Sequence, residues 1–442
     1  MFKPCCMKKI IGLILLLSIF CQTQLFAQSV SGTPLTFGAP EKNNFSPERL
    51  SHIDKIIQNY IDSGWINGAI ALVARNGQIV YYKGVGYDDK ENKQPMKKDA
   101  IFRIASQTKA ITSVAVMQLV EEGKLLLDDN LSKYIPDFKK PVVLDKFNPV
   151  DSSYTTVPAK KEITIRELLT HTSGIGYAQI GAPQMNAIYS KAGVYGGIGL
   201  PAGMKLSTNI LRLAKLPLIH SPGEKWTYGL NDDVLGYLVE VLSGLSFDEY
   251  LKKKIFEPLG MKDTYFYIPE SKQSRLANLY TEDSLKHIVK MPEMIQLNGN
   301  FYRDYPNTKG GTFYSGGGGL ASTAYDYAIF MQMLLNGGDY NGKHILSKAS
   351  IRLMTTNQIG TLSRNTSGPD TKFGLGFELV TPSSYGRSYY SMDTFSWGGM
   401  FSSSYWIDPK EKIVAQFVLQ MLPSSHGDIN EKFKVQVYQA LN

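Results

Sequence analysis

Along residues 47 to 63 (PERLSHIDKIIQNYIDS) the apolar positions Leu50, Ile53, Ile56, Ile57, Tyr60 and Ile61 recur at helical spacing behind a proline. That pattern predicts a helix burying one face. After Gly64 the period shortens. "AIALVARNGQIVYYKGVGYDD" is two apolar, β-branched runs around Asn76-Gly77, residues that both tolerate positive φ, so a tight hairpin is expected. The C-terminal end repeats this logic. "SSSYWIDPKEKIVAQFVLQM" reads as two strands about a turn at Asp408-Pro409, and residues 428 to 441 as an amphipathic helix. Residues 102 to 129 differ from both patterns, because an apolar helical run is interrupted by Ser106, Gln107, Thr108 and Lys109.

Strands at both ends and a helix-rich middle predict an α/β (α+β) fold, an antiparallel sheet built from both termini and flanked by helices. A sheet lobe of about 45–140 and 310–442 would then carry an inserted, mainly helical lobe of about 141–309 within one unit, 28–442. Three stretches read as long surface loops: 141 to 161, 176 to 204 and 361 to 394. Loops of that length in a compact domain are commonly site walls or lids.

Composition adds limits. The chain has 442 residues, 43% of them hydrophobic and 19% charged, as a globular protein has. Lys3, Lys8 and Lys9 precede an apolar core from Ile10 to Phe20, and Ala27 stands before Gln28. This is the layout of a secretory signal peptide over 1–27, too short to span a bilayer, so a secreted or periplasmic location with no stable membrane anchor is expected. Cys5, Cys6 and Cys21 all fall inside it, so the processed chain would have no disulfide or thiolate metal site. The net charge of +8 is spread out. Its densest run, Lys252 to Lys254, is a solvated helix face rather than a nucleic-acid patch.

Ser106 and Lys109 are one helical turn apart, and no other Ser-x-x-Lys pair occurs in the chain. A serine hydroxyl needs a base within hydrogen-bond reach to act as a nucleophile. A lysine serves when burial lowers its pKa, and Ile104, Ala105, Ala110 and Ile111 offer that burial. A helix N-terminus would favour negative charge on the serine oxygen. No Gly-x-Ser-x-Gly elbow, His-Glu-x-x-His pair, phosphate loop or dinucleotide fingerprint competes with this pair. The six histidines lack metal-ligand spacing. His171 reads as a structural histidine, and Gly316 to Gly319 as a tight turn beside the cleft that leads into a core helix.

Five segments then occur in order: "SQTK" at 106, "ITIRELLTHTSGI" at 163, "SPGEKWTYGLNDDVLGYLVEVLSG" at 221, "GGGGLASTAYDYAIFMQMLLNGG" at 316 and "SWGGMFSSSYWIDP" at 396. Together they resemble the serine β-lactamase and penicillin-binding-protein superfamily, in its class C-like branch. The resemblance implies an acyl-enzyme on Ser106, with Lys109 taking or sharing its proton and Tyr228 relaying a proton to the leaving group. Two departures bear on substrate. The Asn of the usual Tyr-x-Asn comes one position late, as Asn231, and the usual Lys-Thr-Gly is replaced by Trp397-Gly398-Gly399. Trp-Gly-Gly is similar to the family VIII carboxylesterases, which implies an oxyanion hole from the N–H groups of Ser106 and Met400. A tryptophan offers apolar area and one donor where a cation would bind an anion. The expectation is an exported serine hydrolase of carboxylic esters, needing no cofactor or metal and taking a small ester or amide substrate. The alternatives are a class C-like β-lactamase or D-alanyl-D-alanine carboxypeptidase, and a non-catalytic binding relative. Oligomeric state is not legible.

Overall fold

The computed structural model describes residues 32–297, 299–364 and 370–442. The expected signal segment, 1–27, lies outside the described residues. The first helical stretch is split. A short turn, Pro47–Leu50, capped by the Ser46 side chain, precedes α1 (His52–Asp62), which buries Ile53, Ile57 and Tyr60. The hairpin follows as β1 (Gly68–Arg75) and β2 (Gln78–Asp89). Asn76 and Gly77 between them stand at φ 54° and 76°, as the tight turn requires. Helices α2 (Thr108–Glu121), α3 (Asn231–Ser243) and α4 (Ala324–Leu335) come next. The chain closes with β3 (Phe395–Gly399), β4 (Ser403–Asp408), β5 (Ile413–Val418) and α5 (Ile429–Gln439).

β5 pairs with β1, which joins the two ends of the chain in an antiparallel run of order β2-β1-β5-β4-β3. Two short strands, Glu378–Leu379 and Lys372–Phe373, extend it beyond β3. At the other edge Thr36–Phe37 runs parallel to β2, so the sheet is mixed rather than wholly antiparallel. The segment ahead of α1 passes along the free edge of β2 and covers part of it.

Both faces of the sheet are covered, so β1 reads as a continuous apolar run. Ala69, Ala71 and Val73 pack with Ile53 and Ile57 of α1 and Phe433 and Val437 of α5. Leu72 and Ala74 share the opposite core with Ile111 and Val114 of α2 and Tyr327 and Ala328 of α4. α2 is buried on every side, which is why its sequence is apolar all round rather than striped. The loop expected at 141–161 is instead a hairpin, Val142–Phe147 with Tyr154–Pro158. Its second strand is exposed along its whole length, so no alternation marked it. Residues 176–204 contain the helix Pro183–Lys191. The middle of the chain also holds small hairpins at Tyr280–Glu282 with Ile288–Lys290 and Met294–Gln296 with Asn300–Tyr302, so it is not helix and loop alone.

Candidate active site

Ser106 stands where a strand hands over to α2. The strand Phe102–Arg103 pairs with Ala321–Ser322, and two residues later Ala105 takes φ +46°. An L-residue adopts that left-handed value at a cost on the order of 1–2 kcal/mol. One tight helical turn, Ala105–Gln107, then leads into α2. Three neighbours hold this turn. Gln416 of β5 donates to Gln107 Oε1 at 2.8 Å, the Tyr327 hydroxyl to the Gln107 carbonyl at 3.0 Å, and Leu320 N to Thr108 Oγ1 at 3.2 Å. The polar residues that interrupt the apolar run are thus tied down.

Lys109, 1% exposed, donates from Nζ to Ser106 Oγ at 3.3 Å and to the Gly317 carbonyl. The Tyr228 hydroxyl donates to Ser106 Oγ at 2.8 Å, and Nζ of Lys109 lies 4.7 Å from the Tyr228 ring centroid. Tyr228 reaches this place because Gly229 passes close to the chain: a Cβ there would meet the Ile175 carbonyl at 1.9 Å. Burial opposes the Lys109 charge, but the interactions with Tyr177, Tyr228 and Asp232 outweigh it and hold its pKa above the ordinary lysine value. The expectation that burial would lower this pKa captured only one side of the balance.

The anionic side lies behind Lys109. Asp232 and Asp233 open α3, and both are almost wholly buried. Burial pushes Asp232 up to about 8 against the pull of Lys109, with Asp233 adding to the rise. It pushes Asp233 up to about 6 against hydrogen bonds from Ser315 and Gly317 and the charge of Lys109. The Ser315 hydroxyl donates to Asp233 Oδ1 at 2.6 Å. His171, 1% exposed, is held well below the ordinary histidine value by burial and by Lys109, so it is neutral. Asn231 Nδ2 donates to its Nδ1 at 2.8 Å, leaving the ring proton on Nε2, 3.4 Å from Asp232 Oδ2. Its ring lies 4.8 Å from that of Tyr228, the supporting place of a structural histidine. Asn231 is therefore not on the substrate wall where the motif placed it. Fully buried, it receives the Ser173 hydroxyl and donates to His171.

Two cavities meet at Ser106, Tyr228 and Met400. One is an open cleft of about 660 Å³ walled by Trp397, Gly398, Gly399 and polar residues of the outer strands. The other is a more enclosed, apolar chamber of about 200 Å³ that includes Tyr177, Ile198, Phe301, Gly317 and Gly318. Gly399 brings the end of β3 against the chain before Ser106, since a Cβ there would lie 2.6 Å from the Ile104 carbonyl. The Trp397 ring packs against Tyr228 (5.6 Å between centroids) and Phe373 (5.3 Å). The Arg364 guanidinium lies 5.4 Å from Trp397 and 5.7 Å from Trp226, and pairs with Glu378 at 2.6 Å.

The structure thus brings together Ser106, Lys109, Tyr228, Trp397, Gly398, Gly399 and Met400 and sets Asn231 aside. Sequence reasoning missed Asp232, Asp233 and Arg364. Two acids at the start of an apolar helix read as complements to its dipole, and the arginine sat in a stretch read as loop.

The Beta-lactamase family profile matches residues 53–438. Esterase EstB of Burkholderia gladioli is 31% identical, covering 81% of this chain and 87% of that enzyme. Lovastatin esterase of Penicillium rubens is 30% identical, covering 88% and 98%. Among solved structures, EstCE1, a hydrolase with promiscuous acyltransferase activity, superposes with a TM-score of 0.76 at 27% identity, covering 88% of this chain and 99% of that one. With a serine, a lysine and a tyrosine converging in a fold and sequence of this kind, the chain belongs to the Beta-lactamase family and is a serine hydrolase of the serine β-lactamase and penicillin-binding-protein superfamily, on its esterase side.

Proposed function

We propose that the chain hydrolyses carboxylic esters through an acyl-enzyme on Ser106. The observation that carries this reading is the placement of both Tyr228 Oη and Lys109 Nζ on Ser106 Oγ. Tyr228 is the base, with the Lys109 ammonium 4.7 Å from its ring centroid offsetting the charge. Ser106 Oγ attacks the ester carbon while its proton passes to Tyr228 Oη. The bond to the alcohol oxygen then breaks, and Tyr228 returns the proton to that oxygen. Water attacks the acyl-enzyme by the same path, giving its proton to Tyr228, which passes it to Ser106 as the acid leaves. Lys109 is a fixed charge that offsets the anion on either side, and Tyr228 is the group whose proton moves. The N–H groups of Ser106 and Met400 hold the oxyanion, beside a wall of Trp397, Gly398 and Gly399.

Esters are favoured over anionic lactams because Trp397 stands where a cation would be needed, and the nearby Arg364 is already paired with Glu378. The proposal includes export with cleavage after Ala27, which the N-terminal mass of the processed protein tests. Ser106→Ala should abolish turnover of p-nitrophenyl butyrate and labelling by a fluorophosphonate. Full turnover retained in that variant would sink the mechanism.

A further inference from the structure

Resting on that reading, we propose that the two cavities divide the ester: the chamber takes a compact apolar acyl group, and the open cleft takes a polyhydroxylated alcohol such as a sugar. The chamber's 200 Å³ is room for roughly six or seven groups the size of water, at ~30 Å³ each. Its walls, Ile198, Leu200, Phe301 and Leu422 among them, offer an alkyl chain apolar contact and little to bind a charge.

The order of events decides which half goes where. After acylation the alcohol must leave and water must reach the same carbonyl carbon, with Tyr228 handling the proton both times. The wider cleft is the more open of the two to solvent, so the departing alcohol and the arriving water belong there. The retained acyl group belongs in the enclosed chamber. The new bond is Ser106 Oγ to the acyl carbon, the broken one is acyl carbon to alcohol oxygen, and the serine proton leaves on the alcohol. Water then splits the acyl-enzyme, its hydroxyl going to the acyl carbon and its proton returning to Ser106.

The cleft's chemistry identifies the alcohol. Four of its charges form pairs, Arg364 with Glu378 at 2.6 Å and Lys434 with Glu431 at 2.8 Å, and Arg387 adds an exposed cation to the wall. The two pairs set donors beside acceptors, which suits hydroxyl groups that both give and accept hydrogen bonds. The Trp397 ring adds a flat apolar face for the C–H side of a sugar ring.

The test measures kcat/KM of the full chain, wild type and variants, on p-nitrophenyl acetate and butyrate and on an acetylated methyl glucoside against ethyl acetate. Wild type should prefer the glucoside ester by about tenfold or more, as expected of a site built around hydrogen bonds. Ile198→Trp, which fills the chamber, should lower the butyrate-to-acetate ratio by about tenfold and leave the glucoside preference in place. Arg364→Gln should do the reverse. If Ile198→Trp does not fold, Phe301→Ala enlarges the chamber and should raise the butyrate-to-acetate ratio. The proposal is overturned if the glucoside preference is absent, if chain-length preference follows Arg364 rather than the chamber, or if neither chamber variant moves it. Failure of the underlying reading is distinct: wild type would then turn over no ester and Ser106 would resist the fluorophosphonate.

Discussion

Lys109 donates from Nζ to the main-chain carbonyl of Gly317, so the charge beside the serine is aimed by a residue that has no side chain. A Cβ on Gly317 would lie 2.6 Å from Asp233 Oδ2 and 3.5 Å from Nζ itself. Gly317→Ala should therefore shift the carbonyl, and misplacement of a catalytic group by about 1 Å costs on the order of 100-fold. The expected result is a fall in kcat on p-nitrophenyl butyrate with KM little changed; an unchanged kcat would show that this carbonyl does not set the ammonium's place.

Tyr228→Phe separates the hydroxyl from the ring. The ring contacts with Trp226, His171 and Trp397 stay, and only the bond to Ser106 is lost. Turnover should drop by about 10²–10⁴-fold. Melting should shift by no more than about 4 °C, the scale of one hydrogen bond. A variant with near-normal turnover would remove Tyr228 from the proton path.

Asp232 and Asp233 give stability a definite pH dependence. Their folded pKa values, about 8 and about 6, lie above the ordinary carboxyl range. Between about pH 4 and 8 the folded chain thus binds more protons at these sites than the unfolded chain. Their contribution is complete below the unfolded value and is lost as pH rises through the folded one. The melting temperature should fall from pH 5 to pH 9, and Asp232→Asn should flatten that slope by at least about 2 °C. Identical slopes in the two proteins would place the titration elsewhere.

Trp397 is proposed to set the substrate's charge. On one purified sample, kcat/KM for p-nitrophenyl butyrate should exceed that for nitrocefin by about 100-fold or more, because the arginine beside Trp397, Arg364, is already paired with Glu378 and an anion brought there loses its water. A nitrocefin rate above the ester rate would reverse the preference.

What the sequence made legible followed from strong local constraints. Asn76-Gly77 announced a turn because both residues must accept positive φ, and Ser106-Lys109 stood out as polar residues on a helix with no solvent face. Tyr228 became visible through its segment's resemblance rather than through its own neighbours. The motif gave Asn231 its spacing only, and the buried side chain is taken up by Ser173 and His171. The exposed strand Tyr154–Pro158 and the parallel edge pair at Thr36–Phe37 carry no alternation to read. Arg364 gained significance only once the fold laid it against two tryptophans distant in sequence.

The pairing of β1 with β5 has a consequence for how the protein comes into being. Ser106 lies early in the chain, but the glutamine that steadies its turn is Gln416, and part of the wall beside it is Trp397 to Met400. A growing chain therefore carries Ser106 for some 300 residues before the pocket around it can close, and contacts so distant in sequence make folding slow. Hydrolytic competence arrives last, when the C-terminal strands dock, so a chain that ends before them carries the serine without the site.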